Sequence, residues 1–430
     1  MLNVLPKFAI DNLRESFHQS LLALATEDGI YASAKSEAFG CIFGRDSAIT
    51  ILKLLRVHSL KPSLGLLEIT KRALLKLVTL QGTEFNIESG EQPGKFIHEF
   101  RREKYEHLVR LDPPWFVYPD GLLKNYDSID STPLTLIALY NYWQITQDRE
   151  FLITILPAVE AGLNWILTFG DIDKDTFIEY DFPKTRRFGG LAVQSWTDSK
   201  ESLLDRSGRM PKYPIAPVEA QAFAWLALRL WSEFYLTNHP EFGRRLSAQA
   251  NKLKREFNDK FLMEDKGLFF AAQALDGDKK QIKTITSNPL IVLWAAYRHK
   301  NKSEVILEDD MIEDFVERGF MDDLFVEDAG IRTMSSSSPT FNPNQDSYHN
   351  GSFWPMLNGL IIEGLENFQF IGQANKLKRA SLIPLKHFGT PIELYIKKDG
   401  TFLEFCSKSG QVSCKNQAWS AAAALDFLII

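Results

Sequence analysis

Cysteine is scarce in this sequence, and a surplus of basic residues is missing. Only Cys41, Cys406 and Cys414 occur in 430 residues, too few for a disulfide framework, and their spacing matches no zinc-finger pattern. Lys and Arg total 49 against 55 Asp and Glu, which gives a net charge of −6, and the basic residues are scattered along the chain. The few cysteines favour a reducing compartment, and the charge argues against nucleic acid as a partner.

Long apolar runs are missing too. The first ten residues, MLNVLPKFAI, lack the basic start, continuous apolar core and small-residue cleavage site of a signal peptide. No uninterrupted apolar run reaches the roughly 18 residues of a membrane span. We therefore expect a cytoplasmic protein without a membrane partner, and the sequence leaves its oligomeric state open.

What the sequence does contain is helical periodicity. Hydrophobic residues make up 45% and charged residues 24%, as in ordinary globular proteins. Length alone would suggest about three domains. Periodicity and helix start and stop signals predict twelve helices and almost no strand pairs. The helices are expected near 8–25, 44–58, 63–81, 131–146, 150–169, 216–237, 241–261, 288–299, 304–318, 351–368, 371–386 and 416–429.

The connections between these helices alternate between short and long. Five are very short, whereas those at 26–43, 82–130, 170–215, 262–287, 319–350 and 387–415 are long. Such alternation places all the long loops at one end of an antiparallel array. Helices that follow long loops are apolar nearly all round, as in 217–231, and those that follow short loops are apolar on one face, as in 241–261.

This pattern predicts an all-α fold, an (α/α)6 toroid of six helical hairpins with the long active-site loops on one face. The whole of 1–430 would then be one catalytic domain. The alternative is an open helical solenoid, but no repeat at a period of 20 to 50 residues is visible. In the closed ring, the inner helices would point their N-termini at the loop end.

The long loops are rich in carboxylates, Trp, Tyr and Arg. Sugars offer apolar faces to aromatic rings and hydroxyls to charged groups, and glycoside hydrolysis needs two carboxyl groups flanking the scissile bond. A metal site is not supported, because His98 and His349 lie far apart in sequence. The segment DIDKDTFIEY at 171–180 lacks the glycine and final glutamate of a calcium loop and predicts a turn into a hairpin. We expect no metal and no cofactor.

Nine short motifs in these loops carry a family resemblance. They are FGRDS, EQPGKFIHEFR, YDSIDSTPL, SWTDS, PIAPVEAQ, GIRT, DSYHNGSFWP, PIELY and NQAWS. Their order, over about 35–425, resembles the amylo-alpha-1,6-glucosidase part of glycogen debranching enzymes and its bacterial relatives. The resemblance implies an (α/α)6 glycoside hydrolase that inverts the anomeric configuration of an α-glucoside substrate, with two carboxyl groups roughly 6.5 to 9.5 Å apart.

The resemblance also implies roles for individual residues. Asp198 of SWTDS resembles the family's general acid, and Glu393 of PIELY resembles its general base. The family's motif is Pro-Glu-Leu, however, so Glu404 in the same loop competes for the role of base. Trp196, Arg45 and Asp46 would hold the sugar that is cleaved. Further lining residues would be Glu99, Arg101, Asp130, Glu219, Arg332, Tyr348, His349, Trp354, Gln417 and Trp419.

Structural roles compete with several of these assignments. Arg45 and Asp46 could form an internal ion pair at the start of a helix. Trp354 and Trp419 begin predicted inner helices, where core packing is the alternative, as expected for Trp225, Trp231 and Trp294.

The substrate and the reaction have alternatives as well. We expect the protein to lack the N-terminal regions that precede this domain in debranching enzymes, which would leave room for a small glycoside such as glucosylglycerate or mannosylglycerate. A sugar epimerase on the same barrel would need paired histidines, and a helical scaffold for protein partners would need an open surface.

Overall fold

The computed structural model describes residues 7–205, 207–299 and 302–429. Its α-helices are α1 (Lys7–Leu24), α2 (Gly44–Leu60), α3 (Leu64–Thr79), α4 (Glu106–Val109), α5 (Ser131–Thr146), α6 (Arg149–Thr168), α7 (Val218–Asn238), α8 (Pro240–Lys260), α9 (Ile312–Gly319), α10 (Pro355–Asn367), α11 (Ile371–Phe388) and α12 (Ala418–Leu428). Three 3₁₀ segments occur at Lys200–Ser202, Asn288–Leu293 and Asp309–Met311.

These elements form a closed double ring. The inner ring runs α2, α5, α7, the 3₁₀ segment Asn288–Leu293, α10 and α12, each packed against the next, and α12 packs against α2. The outer elements α3, α6, α8, α9, α11 and α1 each pack mainly on one inner element, and α3, α6 and α11 also contact a second one. The (α/α)6 prediction is therefore confirmed, and an open solenoid is excluded.

The distribution of apolar residues around each helix explains whether it lies in the inner or the outer ring. Every residue of α12, AWSAAAALDFL, is buried, because this helix contacts α1, α2 and α10 at once. By contrast, α8 buries one stripe that includes Leu246, Leu253 and Phe257 and exposes its basic side. Helices that are apolar all round occupy the interior, and one-faced helices cover them.

The fourth hairpin departs from the prediction. Helices expected at 288–299 and 304–318 are replaced by the 3₁₀ segment Asn288–Leu293, an antiparallel pair of Tyr297–His299 with Lys302–Glu304, and the short α9. Adjacent β-branched Ile291 and Val292 lower helix propensity in the first segment. Apolar periodicity alone does not separate a short buried 3₁₀ segment from an α-helix. The other predicted helices are found, with ends shifted by no more than about four residues.

The long loops contain more strand pairs than predicted, all of them short. Two sheets have three strands, Ile42–Phe43, Glu99–Arg101 and Leu123–Asn125 in one, and Ala216–Pro217, Ala274–Leu275 and Gln281–Ile282 in the other. Two-stranded pairs join Ala25–Thr26 to Gly29–Ile30, Leu262–Asp265 to Leu268–Ala271, Phe325–Val326 to Gly330–Ile331 and Tyr395–Lys398 to Thr401–Glu404. The strand Ile42–Phe43 of the first sheet immediately precedes α2, so this sheet fixes the position at which the chain enters the ring.

Among the described residues, one helix is long and apolar enough to span a membrane. This is α6, with a mean hydropathy of 1.6. In the folded chain it lies in the outer ring, where it packs against α3, α5 and α7 and buries Phe151, Ile155 and Trp165. The core therefore accounts for the buried apolar face of α6.

Candidate active site

A small cavity lies at the end of the ring to which the inner helices point their N-termini. Phe43, Trp354 and Gln417 each occupy the N-cap position of an inner helix, α2, α10 and α12 respectively. We call it the inner cavity. It is lined by Phe39, Phe43, Arg45, Asp46, Trp196, Asp198, Tyr348, His349, Trp354, Glu393, Gln417 and Trp419.

Arg45 organises one side of this cavity. Its guanidinium is buried and donates from Nε to Asp130 at 2.8 Å and from Nη1 to Asp198 at 3.1 Å. Ser128 Oγ donates to the other oxygen of Asp130 at 2.5 Å. Asp130 is fully buried behind Arg45, so its carboxylate neutralises and orients the guanidinium rather than facing the cavity.

Asp198 combines partial exposure with a raised pKa. Its side chain is 26% exposed, toward the cavity space. Burial of the Asp198 carboxyl raises its pKa to about 6, although the positive charge of Arg45 opposes the rise. The carboxyl therefore exchanges its proton near neutral pH.

Glu393 is more deeply buried, and each of its oxygens accepts a hydrogen bond. Tyr348 Oη donates to Oε1 at 2.5 Å, and the backbone N–H of Cys414 donates to Oε2 at 2.9 Å. Burial nevertheless raises the pKa of Glu393 to about 7. The competitor Glu404 ends the strand Thr401–Glu404, is 37% exposed, pairs with Lys415 and does not line the cavity. Of the two glutamates, Glu393 alone reaches the site.

Asp46 is the third carboxyl group of the inner cavity. Its Oδ1 accepts a hydrogen bond from Gln417 Nε2 at 3.1 Å. Burial raises its pKa to about 7, and the nearby charges of Asp198 and Glu393 add to the rise. The three carboxyl groups are therefore electrostatically coupled.

Aromatic rings build the walls. Trp354 stacks on His349 with ring centroids 5.0 Å apart, and Trp196 and Trp419 each meet Trp354 edge to face. Trp196 is anchored by its Nε1, which donates to Asn288 Oδ1 at 3.0 Å. Trp354 and Trp419 are thus both packed and cavity-lining, so the two interpretations of these residues are compatible.

Two polar atoms of the walls are buried without a partner in the described chain, Trp419 Nε1 and Gln417 Oε1. One is a donor and the other an acceptor. A hydroxyl-bearing ligand in the cavity would satisfy both.

The histidines in these loops are held neutral. Burial lowers the pKa of His349 and of His98 well below the ordinary value, and the charge of Arg45 adds to the effect. His349 Nδ1 lies 3.0 Å from Ser199 Oγ. These rings therefore supply hydrogen bonds and surface rather than protons.

A larger cavity of about 1000 Å³ opens from the inner one. This outer cavity shares Phe39, Phe43, Asp198 and Tyr348 with the inner cavity. Glu99 and Arg101 line it and form an ion pair with each other. The basic residues Lys35, Lys104 and Lys408 also line it.

Most of the predicted site residues meet in these two cavities, but three do not line either of them. Asp130 lies behind Arg45, as described. Glu219, at the start of α7, is fully buried, and its burial raises its pKa to about 8. The guanidinium of Arg332 lies 5.4 Å from the ring centroids of both Phe341 and Phe353.

Sequence reasoning missed several lining and supporting groups. Phe39 and Phe43 line both cavities, and the Cys414 backbone holds Glu393. Phe43 is the first residue of the FGRDS motif, so the motif could have indicated it as a site residue. The backbone N–H of Cys414 gives no such signal, because nearly every residue has a backbone N–H.

A cluster of acidic residues lies elsewhere, in the 171–180 segment. One oxygen each of Asp171, Asp173, Asp175 and Glu179 lies within 4.8 Å of the others. The Lys279 ammonium forms ion pairs with Asp173, at 2.8 Å, with Asp175, at 2.7 Å, and with Glu179. The predicted turn is present, and the chain then bridges from Tyr180 to Ile215 rather than forming a local hairpin.

A closed ring of helical hairpins has buried carboxyl groups in an aromatic cavity, at the end to which the inner helices point their N-termini. This arrangement defines an (α/α)6 glycoside hydrolase. The chain belongs to the amylo-alpha-1,6-glucosidase family, whose sequence profile matches residues 77–426. The match includes Asp198 and Glu393 and begins after α2. No curated protein matches the chain.

Solved structures share the fold. A GH63 mannosylglycerate hydrolase from Thermus thermophilus, in complex with Tris and D-glycerate, is 15% identical with a TM-score of 0.67. The same hydrolase in complex with glucose is 15% identical with a TM-score of 0.64. In both comparisons 96% of this chain and 99% of that chain are covered.

Proposed function

We propose that the protein hydrolyses an α-glucosidic bond with inversion, releasing a terminal glucose from a small α-glucoside or an α-1,6 branch. One observation carries this proposal. Asp198 and Glu393 come from different loops and both line the inner cavity, but of the two only Asp198 also lines the outer cavity. The two carboxyl groups therefore differ in their position along the path of a substrate.

Asp198 is the proposed general acid. A glycosidic oxygen that joins a sugar in the inner cavity to a leaving group in the outer cavity would lie at the boundary that Asp198 forms. A pKa of about 6 leaves a useful fraction of this carboxyl protonated near neutral pH. Arg45, at 3.1 Å, fixes the carboxyl and stabilises the carboxylate once the proton has moved to the leaving oxygen.

Glu393 is the proposed general base. It lines the inner cavity only, so a water beside it would attack the sugar from the side away from the leaving group. The two hydrogen bonds from Tyr348 and Cys414 fix its orientation and support the ionised form. In an inverting hydrolysis this carboxylate accepts the proton of that water.

The inner cavity encloses about 50 Å³ and would have to widen to admit a sugar, but its lining suits a single terminal ring. Trp196, Trp354 and Trp419 offer apolar surfaces for the C–H faces of a sugar ring. Asp46 and the free atoms of Gln417 and Trp419 offer hydrogen bonds to its hydroxyls. These features support removal of one sugar at a time from a chain end.

A second candidate substrate is a glycoside of an acidic alcohol, such as glucosylglycerate or mannosylglycerate. Lys35, Lys104 and Lys408 line the outer cavity, where the leaving group would lie. Acidic residues such as Glu37, Glu201 and Asp346 line it as well, so a carboxylate there would need one of the lysines as its partner. D-Glycerate is present in a complex of the T. thermophilus hydrolase of the same fold. We place this candidate second because the family profile describes an α-1,6-glucosidase.

Incubation with isomaltose, panose, limit dextrin, glucosylglycerate and mannosylglycerate, followed by proton NMR, tests the proposal. We expect β-glucose as the first product from an α-glucoside. Initial release of α-glucose would exclude inversion, and turnover of the two glycerates alone would select the second candidate. Absence of any product would refute the proposed function.

Matched variants test the two roles. We expect Asp198→Asn and Glu393→Gln each to lose about 10² to 10⁴ of kcat, the usual contribution of a general acid or base. Glu404→Gln is the control for Glu393→Gln and should keep wild-type activity. Circular dichroism and the melting temperature show whether each variant is folded. A loss in Glu404→Gln with an active Glu393→Gln would move the base to Glu404.

A further inference from the structure

A third cavity, of about 290 Å³, lies between the 82–130 and 170–215 loops and the end of α6. None of the residues that line it lines the inner or the outer cavity. We call it the side cavity. Small-molecule sites begin at roughly 300 Å³, so the side cavity has room for a ligand of monosaccharide size.

Three polar atoms on lining residues of the side cavity are buried without a partner in the described chain. They are Glu179 Oε2, Tyr180 Oη and Arg186 Nε. Each side chain is at least nine-tenths buried. Folded proteins seldom leave buried polar atoms unpaired, and three around one cavity point to a missing binding partner.

Lys95 adds donor capacity to the same cavity. Its ammonium is buried and makes one long hydrogen bond, 3.4 Å, to the Gly90 carbonyl. It also lies 5.8 Å from the centroid of the Trp165 ring. An ammonium carries three N–H donors, so donors remain for a ligand.

Part of the lining of the side cavity is apolar. Trp165 lies in the lining, with its own Nε1 already bonded to Gln92 at 2.7 Å. Phe85 and Phe169 meet edge to face at 4.9 Å and are 65% and 37% exposed. Ile172, 42% exposed, extends this apolar rim. Exposed aromatic rings beside unpaired polar atoms are typical of a ligand site.

The charges of the lining narrow the class of ligand. Four carboxylates, Glu91, Asp127, Glu179 and Asp181, outnumber the two basic groups, Lys95 and Arg186. An anion is therefore disfavoured. A neutral ligand with both donors and acceptors suits this mixture of groups better than an anion does, and its apolar ring faces would lie on the aromatic part of the lining.

We propose that the side cavity binds a neutral sugar unit, at a site separate from the active site. The proposal concerns binding, so it does not depend on which glycosidic bond the enzyme cleaves. A bound sugar here would hold a saccharide on the loop end of the ring without being cleaved.

Tyr180→Phe is the sharpest test, because the hydroxyl that it removes has no partner in the free protein. We expect the melting temperature to be unchanged or higher and glucose binding at the side cavity to weaken by about two- to tenfold, the value of one neutral hydrogen bond. Tyr126→Phe is the matched control. Its hydroxyl donates to the Leu80 carbonyl at 3.1 Å, so this variant should lower the melting temperature and leave binding unchanged.

Isothermal titration with glucose, together with crystals soaked in glucose, provides the readout. We expect two classes of site in the wild-type protein, of which Asp46→Asn weakens one and Tyr180→Phe weakens the other. Density for glucose in the side cavity should disappear in Tyr180→Phe.

Two results would overturn the proposal. One is an unchanged glucose isotherm in Tyr180→Phe combined with a lowered melting temperature, which would make the cavity a purely structural one. The other is binding of inorganic phosphate in place of glucose, which would make it an anion site. An inactive enzyme that still binds glucose at the side cavity would refute the proposed function and leave this proposal standing.

Discussion

At the scale of single residues, the proposed chemistry depends on how each carboxyl group is held. Asp198 is fixed by a buried cation, and Glu393 by a hydroxyl and a backbone N–H. Burial raises the pKa values of the two groups to about 6 and about 7, so the pair holds one proton over part of the neutral range. In the productive form that proton is on Asp198.

The first prediction concerns pH. The form with one proton on the pair is most abundant between the two pKa values, so kcat/KM should be bell-shaped with its maximum between about pH 6 and pH 7. Below that window both carboxyl groups become protonated, and above it both lose their protons. Initial rates between pH 4 and pH 9 measure the profile. A maximum above pH 8 would contradict these pKa values.

The second prediction concerns Tyr348→Phe. The Tyr348 hydroxyl supports the ionised form of Glu393, so its removal should raise the pKa of Glu393 further. The basic limb of kcat/KM should move to higher pH and the maximum should fall, because a smaller share of the proton then resides on Asp198. Tyr395→Phe is the control. Its buried hydroxyl donates to the Ala329 carbonyl, away from both cavities, and the pH profile should not move. Equal profiles in both variants would exclude this role of Tyr348.

At the scale of secondary structure elements, three inner helices share a buried group of charges away from the site. The Lys53 ammonium on α2 donates to the Gly359 carbonyl at 3.0 Å, to Glu363 on α10 at 2.6 Å and to Asp426 on α12 at 3.0 Å. Arg56 also contacts Asp426, at 2.8 Å. These contacts join α2, α10 and α12 where the ring closes.

The third prediction is that Lys53→Met lowers the free energy of unfolding by about 3 kcal/mol, because it leaves buried carboxylates short of a partner. Although burial opposes it, Lys53 lowers the pKa of Asp426 below 3.8, so this stabilisation is present above about pH 4 and fades as pH falls through the lowered pKa. Chemical denaturation at pH 7 and pH 3 measures both effects. The exposed Lys260→Met is the control, with a change within about 0.5 kcal/mol. Equal stabilities of the two variants at pH 7 would refute the prediction.

The elements also show where sequence reasoning succeeds and where it stops. Apolar periodicity predicted the long helices. In α7, α8 and α12 the spacing of apolar residues within the helix already shows whether it lies in the inner or the outer ring. Periodicity was wrong at 288–318, where short segments owe their shape to tertiary packing.

The candidate site follows the same division. The motifs predicted that Arg45, Asp198 and Glu393 would meet. The motifs could not show that Asp46 lines the cavity whereas Asp130 and Glu219 are buried behind it. Which of these carboxyl groups faces the cavity depends on contacts between loops that are distant in sequence. The cytoplasmic location, the single domain over 1–430, the oligomeric state and the absence of nucleic acid and membrane partners stay predictions or open questions.

At the scale of the whole molecule, α12 both closes the ring and contributes to the site. It packs against α10, α2 and α1, and Gln417 and Trp419 at its start line the inner cavity. Without α12, the apolar sides of three helices would be exposed.

The fourth prediction is that a chain ending at Asn416 loses cooperative thermal unfolding and all glycosidase activity. Trp419→Phe is the matched comparison. It removes one donor and should keep the melting temperature within a few degrees while raising KM. Differential scanning calorimetry and steady-state kinetics report both outcomes. A truncated chain that melts cooperatively at the wild-type temperature would show that the other helices form a stable unit alone.

The position of α12 along the chain has a consequence for biosynthesis. Arg45, Asp198 and Glu393 are all translated before α12, and domains begin to fold as they leave the ribosome. A nascent chain thus carries its carboxyl groups while an apolar gap remains between α2 and α10. The gap closes only when the segment through Leu428 has emerged, so the inner cavity is complete only after α12 has been made, although its carboxyl groups are translated earlier.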